Sequence, residues 1–418
     1  MRSSGMRALL ALVLCSPFLL PTPLLGQGEV RRLSLREAMQ SFAENSLELK
    51  IARSEAAGLT GAALQSRAYS NPAISFSRDD LGHESEKFWE ETFLLVQQVE
   101  WPGRTAARGR VATHTIGAGA ARLLADSIEL AFVVREAYAQ AWFEEQAEQV
   151  VRQTASVIRG VAEDAETRLE AGDISAYEAR RLRLERVQAE QAMAEAALRA
   201  RDARRRLATL IAPGAGTEEI GPSEGMDGVP PIVTRETALG ALPGRPDLQA
   251  VARELDAARA GEQVARSSWI PDPTVGLGYR HHLDGFAGAS IALDLPFPLF
   301  DRGTGTRQEA AAQSSGAAYR LDLRRRLARY DLMAASDRYD SGRARLEAAA
   351  PELLVDGEAL LASATAAYAE NEMTLLELLD AAGAFQNARL SAMSLRLEAW
   401  VAYYDLLRAM GGTPEEVP

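Results

Sequence analysis

Residues 293–303, LDLPFPLFDRG, read as two structures in quick succession. Ile291, Leu293 and Leu295 alternate with Ala292 and Asp294, the period-two pattern of a strand with one apolar face. Pro296 and Pro298 stop ladder pairing, and a long helical pattern begins by Gly303. Residues 94–104, LLVQQVEWPGR, make the same passage about 200 positions earlier. A chain that twice runs a strand straight into a long helix is a chain whose architecture is duplicated.

Three pairs of segments support the duplication. NPAISFSRDD (71–80) is echoed by DPTVGLGYRH (272–281), IARSEAA (51–57) by VARELDA (251–257), and TRLEAGDISAYE (167–178) by AAYAENEMTLLE (366–377). The pairs keep a spacing of about 200 residues in chain order, which chance echoes would not do. Each repeat reads as helix, hairpin, long helix, turn, helix. The first repeat, 27–211, predicts a helix over 35–68, strands near 72–79 and 92–101, a helix over 103–171, a break at Gly172-Asp173 and a helix over 174–211. The second, 234–411, predicts a helix over 234–267, strands near 273–281 and 286–295, a helix over 303–370, a break at Asn371 and a helix over 374–411. A helix as long as 103–171 spans roughly 100 Å at about 1.5 Å per residue, which no compact domain holds. The Gly- and Pro-rich segment 212–233 reads as a connector, and 412–418 as a tail.

Composition agrees. Of 418 residues, 6% are aromatic and 25% charged, with a net charge of −12. That balance favours long helices over a broad core and excludes a basic nucleic-acid surface. Residues 1–26 have a basic start and a short, Pro-broken apolar run, the pattern of a secretory signal cut near Gly26–Gln27. The one cysteine, Cys15, lies inside it, so the exported chain is expected to hold no disulfide and no thiolate metal site. No other segment is apolar for long enough to form a membrane helix, so any spanning element is β.

Helices alone would fit a soluble coiled coil or bundle; the strands decide otherwise. Phe93, Leu95, Val99 and Trp101 share one strand face with Gln97 as the exception, and Ala287, Ala289, Ile291, Leu293 and Leu295 share another. Short strands, apolar on one face, in an exported chain are the mark of a transmembrane barrel. Four strands cannot close one, and lipid does not tolerate open edges. Several chains therefore share the barrel, and three would supply twelve strands. The expected fold is mainly α with a small β part: a long-helix α-barrel continuous with a trimeric transmembrane β-barrel.

NPAISFS, QQVEWPGRTAARGRVA, RPDLQAVARELDAA, LPFPLFDRGTGTRQEAAA and YAENEMTLLELLDAAGAFQNAR, in this order and spacing, resemble the TolC-like outer membrane factors. QQVEWPGR and LPFPLFDRGTG look most like the heavy-metal-efflux, CzcC-like branch, although its usual RNQG reads Arg302-Gly303-Thr304-Gly305 here. The resemblance covers essentially the whole exported chain. It implies the outer membrane channel of a tripartite efflux system, a homotrimer set in outer membrane lipid and reaching through the periplasm. A periplasmic adaptor (membrane fusion protein) and an inner-membrane pump of the RND type would be its partners. Adaptor contacts would fall at the helix-turn-helix tips, at Arg168, Gly172, Asp173, Ser175, Asn371 and Glu372. The acidic constriction of the family maps to LELLDA, hence to Glu377 and Asp380, three apart on one helix face. In a trimer each would form a ring of three carboxylates; the alternative is a pair of solvated surface acids. The gate region maps to Tyr368, Asn371 and Met373, where only the tyrosine keeps the family pattern. Glu178 joins Arg168, Asp173 and Ser175 as a candidate for the contacts that hold the closed state.

Enzymatic chemistry is not expected. GAGAAR (117–122) lacks the third glycine of a dinucleotide loop and lies in a helical run. Walker, zinc-protease and nucleophile-elbow motifs are missing from the chain, and no cofactor or metal site is expected. His83 with Glu84 and Glu86, and His281-His282 with Asp284, fall at the hairpin ends, where solvated loop residues or a surface metal site could explain them. Two other readings remain: the duct of a type I protein-secretion system, and a soluble periplasmic coiled-coil adaptor or scaffold. The second would need many more strands than the four seen.

Overall fold

A computed structural model describes residues 30–412 apart from 84–85, Pro102, 213–218, Asp227 and Asn371. The proposed signal segment with Cys15, most of the tail, and Asn371 lie outside the described residues. The element order is β1 (Arg31–Leu33), α1 (Leu35–Asn45), α2 (Leu47–Arg67), β2 (Ala73–His83), β3 (Glu86–Gln98), α3 (Arg104–Ala171), α4 (Ala176–Ile211) and β4 (Ile220–Pro222). It continues with α5 (Arg235–Ala241), a 3-10 turn, α6 (Pro246–Arg266), β5 (Thr274–His282), β6 (Ala287–Asp294), α7 (Thr304–Ala369) and α8 (Leu375–Met410).

The helices form four adjacent columns. α2 and α4 both pack on α3, α3 packs on α6 and α8, and both of these pack on α7. The four-stranded antiparallel sheet runs β2-β3-β5-β6. Each strand therefore continues into its own column: β2 from α2, β3 into α3, β5 from α6, β6 into α7. Two long helices of 68 and 66 residues alternate with two stacked pairs of shorter ones. α7 carries Pro351 in its interior, a residue that removes one rung of the helix ladder.

The joints between strand and helix are built alike. Gly103 (φ 93°) and Gly303 (φ 66°) precede the two long helices in the left-handed region, which a side chain disfavours. At the first joint Arg104 forms an ion pair with Asp272 and donates to the carbonyls of Ser267 and Ile270, each at 2.7 Å. It thereby ties the start of α3 to the end of α6.

The structure departs from the sequence reading in four places, the first being the strand expected near 92–101, which runs over Glu86–Gln98 and ends short of Val99 and Trp101. The helix expected over 35–68 is two, because Ser46 ends α1 and caps α2 by accepting from the Leu49 amide at 3.2 Å. The helix expected over 234–267 is likewise interrupted, where η turn Leu242–Gly244 and Pro246 separate α5 from α6. The connector contributes β4, which pairs in parallel with β1. Ile220 is fully buried with Leu33, Phe42, Leu207, Ile211 and Tyr138, so this segment seals a side layer midway along the columns. The Tyr138 hydroxyl donates to the Leu33 carbonyl at 3.1 Å, and burial pushes its pKa up to about 12.

Candidate functional site: the membrane-type sheet and the helical tips

The sheet separates its two faces cleanly. Register places Ile74, Leu95, Leu277 and Ile291 in one row, and Phe76, Phe93, Tyr279 and Ala289 in the next. Every large side chain in these rows is exposed, from 49% for Phe93 to 83% for Ile74. The opposite face carries Ser75, Leu94, Gly278 and Ser290 in one row and Ser77, Thr92, Arg280 and Gly288 in the next. Alternation along each strand thus puts bulk on one side and small or polar groups on the other. Exposure of so much contiguous apolar surface needs a non-aqueous neighbour. At the helix end of the sheet Tyr69, Trp101, Trp269, Phe297 and Phe300 are also exposed, an aromatic border of the kind that flanks membrane barrels.

Gly278 shows why the polar face is glycine-rich. A Cβ built there would lie 1.8 Å from the Phe93 carbonyl oxygen, so β3 and β5 approach too closely for any side chain. His281 and His282 close β5 at its hairpin end, and Glu84 of the other group lies outside the described residues. His281 and His282 point to opposite faces because they are adjacent in a strand, so they cannot share one site. Among the described residues no group of three or more His, Cys, Asp or Glu side chains is placed to hold a metal ion, and no helix is long and apolar enough to cross a membrane.

At the far end of the columns the two turns come together. Val161, Ala162, Ala165, Leu182, Ala364, Leu378 and Ala381 form a buried cluster, with Ile174, Tyr368, Met373 and Leu375 packed against it. Tyr368 and Met373 are therefore half-buried parts of the tip core. Gly172 (φ 83°) ends α3 in a Schellman motif: its amide donates to the Leu169 carbonyl at 3.1 Å and the Asp173 amide to the Arg168 carbonyl at 2.8 Å. Across the other turn the Glu372 amide donates to the Ala367 carbonyl at 2.9 Å.

Both following helices start on the same device. Ser175 accepts from the Glu178 amide at 3.2 Å, and the Ser175 amide donates back to the Glu178 carboxylate at 2.9 Å. Thr374 and Glu377 repeat this capping box at 3.4 and 2.8 Å. The backbone and hydroxyl of Ser175 hold the Glu178 carboxyl below its ordinary pKa, with the Arg168 charge adding to the effect. The hydroxyl and backbone of Thr374 do the same for Glu377. Glu377 thus has a structural duty that its place in LELLDA does not announce, while its carboxylate stays exposed. Asp380 is exposed three residues further along α8, and Asp173 and Glu372 are exposed at the turns.

A wall that runs from strand into helix, with one exposed apolar face on its sheet, fits the fold of a membrane channel. The sequence agrees: residues 240–412 match the family profile described as outer membrane efflux protein. The chain is 25% identical over 386 residues to the cobalt-zinc-cadmium resistance protein CzcC of Cupriavidus metallidurans, spanning 91% of this chain and 90% of that protein. The fold superposes on CusC, described in terms of transmembrane channel formation, with a TM-score of 0.75 at 15% identity, over 92% of this chain and 94% of that one. It superposes on the CmeC outer membrane channel of Campylobacter jejuni with a TM-score of 0.77 at 16% identity, over 90% and 85% of the two chains. The profile match over residues 240–412, the likeness to CzcC and the fold shared with solved channel proteins point the same way.

Proposed function

We propose that this chain forms the passive exit duct of a tripartite efflux system, spanning the outer membrane and reaching into the periplasm. The observation that carries the reading is the amphipathic sheet with two open edges, joined strand by strand to a helical wall. Free sheet edges cannot stand in hydrocarbon, so β6 of one copy pairs with β2 of the next. Three copies then supply twelve strands, enough to leave a water-filled lumen. In this reading the signal segment 1–26 is removed, and the repeats 27–211 and 234–411 each provide half of one protomer's wall.

The tips are the periplasmic entrance and the surface for a periplasmic adaptor, with Arg168, Gly172, Asp173, Ser175, Asn371 and Glu372 as contacts. An RND-type inner-membrane pump supplies the energy. Heavy-metal cations are the proposed cargo class, because the relative at 25% identity is named for cobalt, zinc and cadmium resistance. Glu377 and Asp380 each form a ring of three carboxylates at the entrance, with Tyr368, Asn371 and Met373 in the gate. Rings of fixed negative charge favour cations over anions.

Single-channel recording of the purified protein in planar bilayers tests this. Glu377→Gln keeps a side chain that can complete the capping box, and Asp380→Asn removes the second charge. The pair is expected to lower cation selectivity and block by divalent cations. Unchanged selectivity and block would remove the rings from the entrance, and a soluble monomer in cell fractionation would remove the duct.

A further inference from the structure

The two joints between strand and long helix share their glycines but differ in charge. At the first, each of the three arginines that open α3 has a partner. Arg104 pairs with Asp272, Arg108 with Glu100 at 2.6 Å, and Arg110 donates to Gln263 at 2.7 Å. At the repeat spacing of about 200 residues, the counterpart of Glu100 is Phe300, whose side chain is fully exposed. The second joint has thus exchanged a paired carboxylate for an uncovered phenyl ring.

Its arginines are left without a counter-charge. Arg302 and Arg307 form no ion pair among the described residues. Arg307 donates only to neutral groups of its own turn: the Gly303 carbonyl at 3.3 Å, and the Arg302 carbonyl and Thr304 hydroxyl at 3.4 Å each. The neighbouring carboxylate, Asp301, accepts from the Gly303 amide at 2.8 Å. Arg302 and Arg307 line an open cavity of about 320 Å³ together with Trp269 and Pro298, a volume at the low end of ligand sites.

The cavity adjoins the apolar face of the sheet. Pro296 and Pro298 hold the residues before them extended, so Leu295 and Phe297 carry on from Leu293 beyond the end of β6, and all three are exposed. A run that ends on Leu299 and Phe300, both uncovered, needs a non-aqueous neighbour. Two unpaired guanidinium groups beside it need an anion, and the planar guanidinium matches phosphate oxygens two at a time. An indole such as Trp269 is at home where headgroups meet hydrocarbon. A free anion would match the arginines and leave the phenylalanines uncovered. An apolar protein segment would cover the phenylalanines and leave two charges unpaired. A phospholipid satisfies both.

We infer that the cavity of Trp269, Arg302 and Arg307 holds the phosphate of a phospholipid from the leaflet nearest the helices, with its acyl chains along Phe297 and Phe300. The inference rests on the duct reading, because it needs the sheet to stand in a bilayer.

Native mass spectrometry of the full-length protein, extracted from outer membranes in detergent and titrated with phosphatidylglycerol, tests it. Saturable binding of one lipid per chain is expected. Arg302→Gln with Arg307→Gln is expected to weaken it at least about tenfold, with recovery in the membrane fraction unchanged. Arg302→Gln alone, which leaves the turn held by Arg307 intact, is expected to weaken it by a smaller factor. Arg266→Gln, close by at the end of α6 but paired with Glu262 at 2.9 Å, is expected to leave it unchanged. Binding that is unaltered in the double variant, or lowered as much by Arg266→Gln, overturns the site and leaves the duct standing. So does displacement of the lipid by excess inorganic phosphate, which would mark a site for a free anion. An unmodified chain absent from the outer membrane overturns both.

Discussion

The two ends of the protomer satisfy their apolar groups in opposite ways. At the sheet, Ile74, Leu277 and Ile291 stand exposed on one face, and two strand edges lack a neighbour. At the tips, Leu182 and Leu378 are buried within the same chain, and the helix starts are closed by their own serine and threonine. The sheet is thus completed by what surrounds it, while the tip core around Leu182 and Leu378 is closed within the chain, with Tyr177 and Leu376 exposed beside it. Assembly and insertion should govern the first end and local folding the second.

Substitutions that break this contrast differ in size. Gly278→Val places a side chain against the Phe93 carbonyl, where a Cβ already lies 1.8 Å away. It is expected to abolish the sheet and with it outer membrane trimer, read by fractionation and unheated electrophoresis. Leu182→Ala empties a fully buried position in the tip cluster. It should cost about 2–5 kcal/mol locally, seen as faster proteolysis near residues 172–182 with the trimer retained. Leu277→Arg on the exposed sheet face should cost about 2–4 kcal/mol if that face meets lipid, and almost nothing if it meets water. Reduced recovery in the membrane fraction distinguishes the two.

The smallest effects lie at the caps. Ser175→Ala or Thr374→Ala should cost about 0.5–2 kcal/mol of helix-start stability, measured by hydrogen exchange in the first turns of α4 and α8. The same contacts are pH-dependent. Glu178 and Glu377 have lowered pKa values in the folded protein, against an ordinary value of 4.5. Their contribution is therefore full above the ordinary value and is lost as pH falls through the lowered one. Exchange at both tips should rise together on acidification below about pH 4.5.

Much of this contrast could be read in the residues. The alternation of Ile291, Leu293 and Leu295, and the halt at Pro296 and Pro298, marked the joint between strand and helix before any coordinates. The side layer could not be read, because Ile220 lies in a Gly- and Pro-rich segment and its register partner Arg31 is far away in the chain. Only tertiary packing reveals that β1 and β4 pair. The capping role of Glu377 was visible in principle: Thr374-x-x-Glu377 repeats Ser175-x-x-Glu178, a capping-box pattern at the repeat spacing. Its place in LELLDA points to charge instead. The clamp of Arg104 on Asp272 had no local signal, since its residues lie in different repeats.

The most direct test of the account is the mass of the assembly extracted intact from outer membranes, by native mass spectrometry in detergent. Three copies of the chain, with no smaller species until the detergent shell is stripped and the sample heated, is the predicted result. A monomer as the membrane-extracted species would contradict it, because the open edges of β2 and β6 would then have no partner in the bilayer.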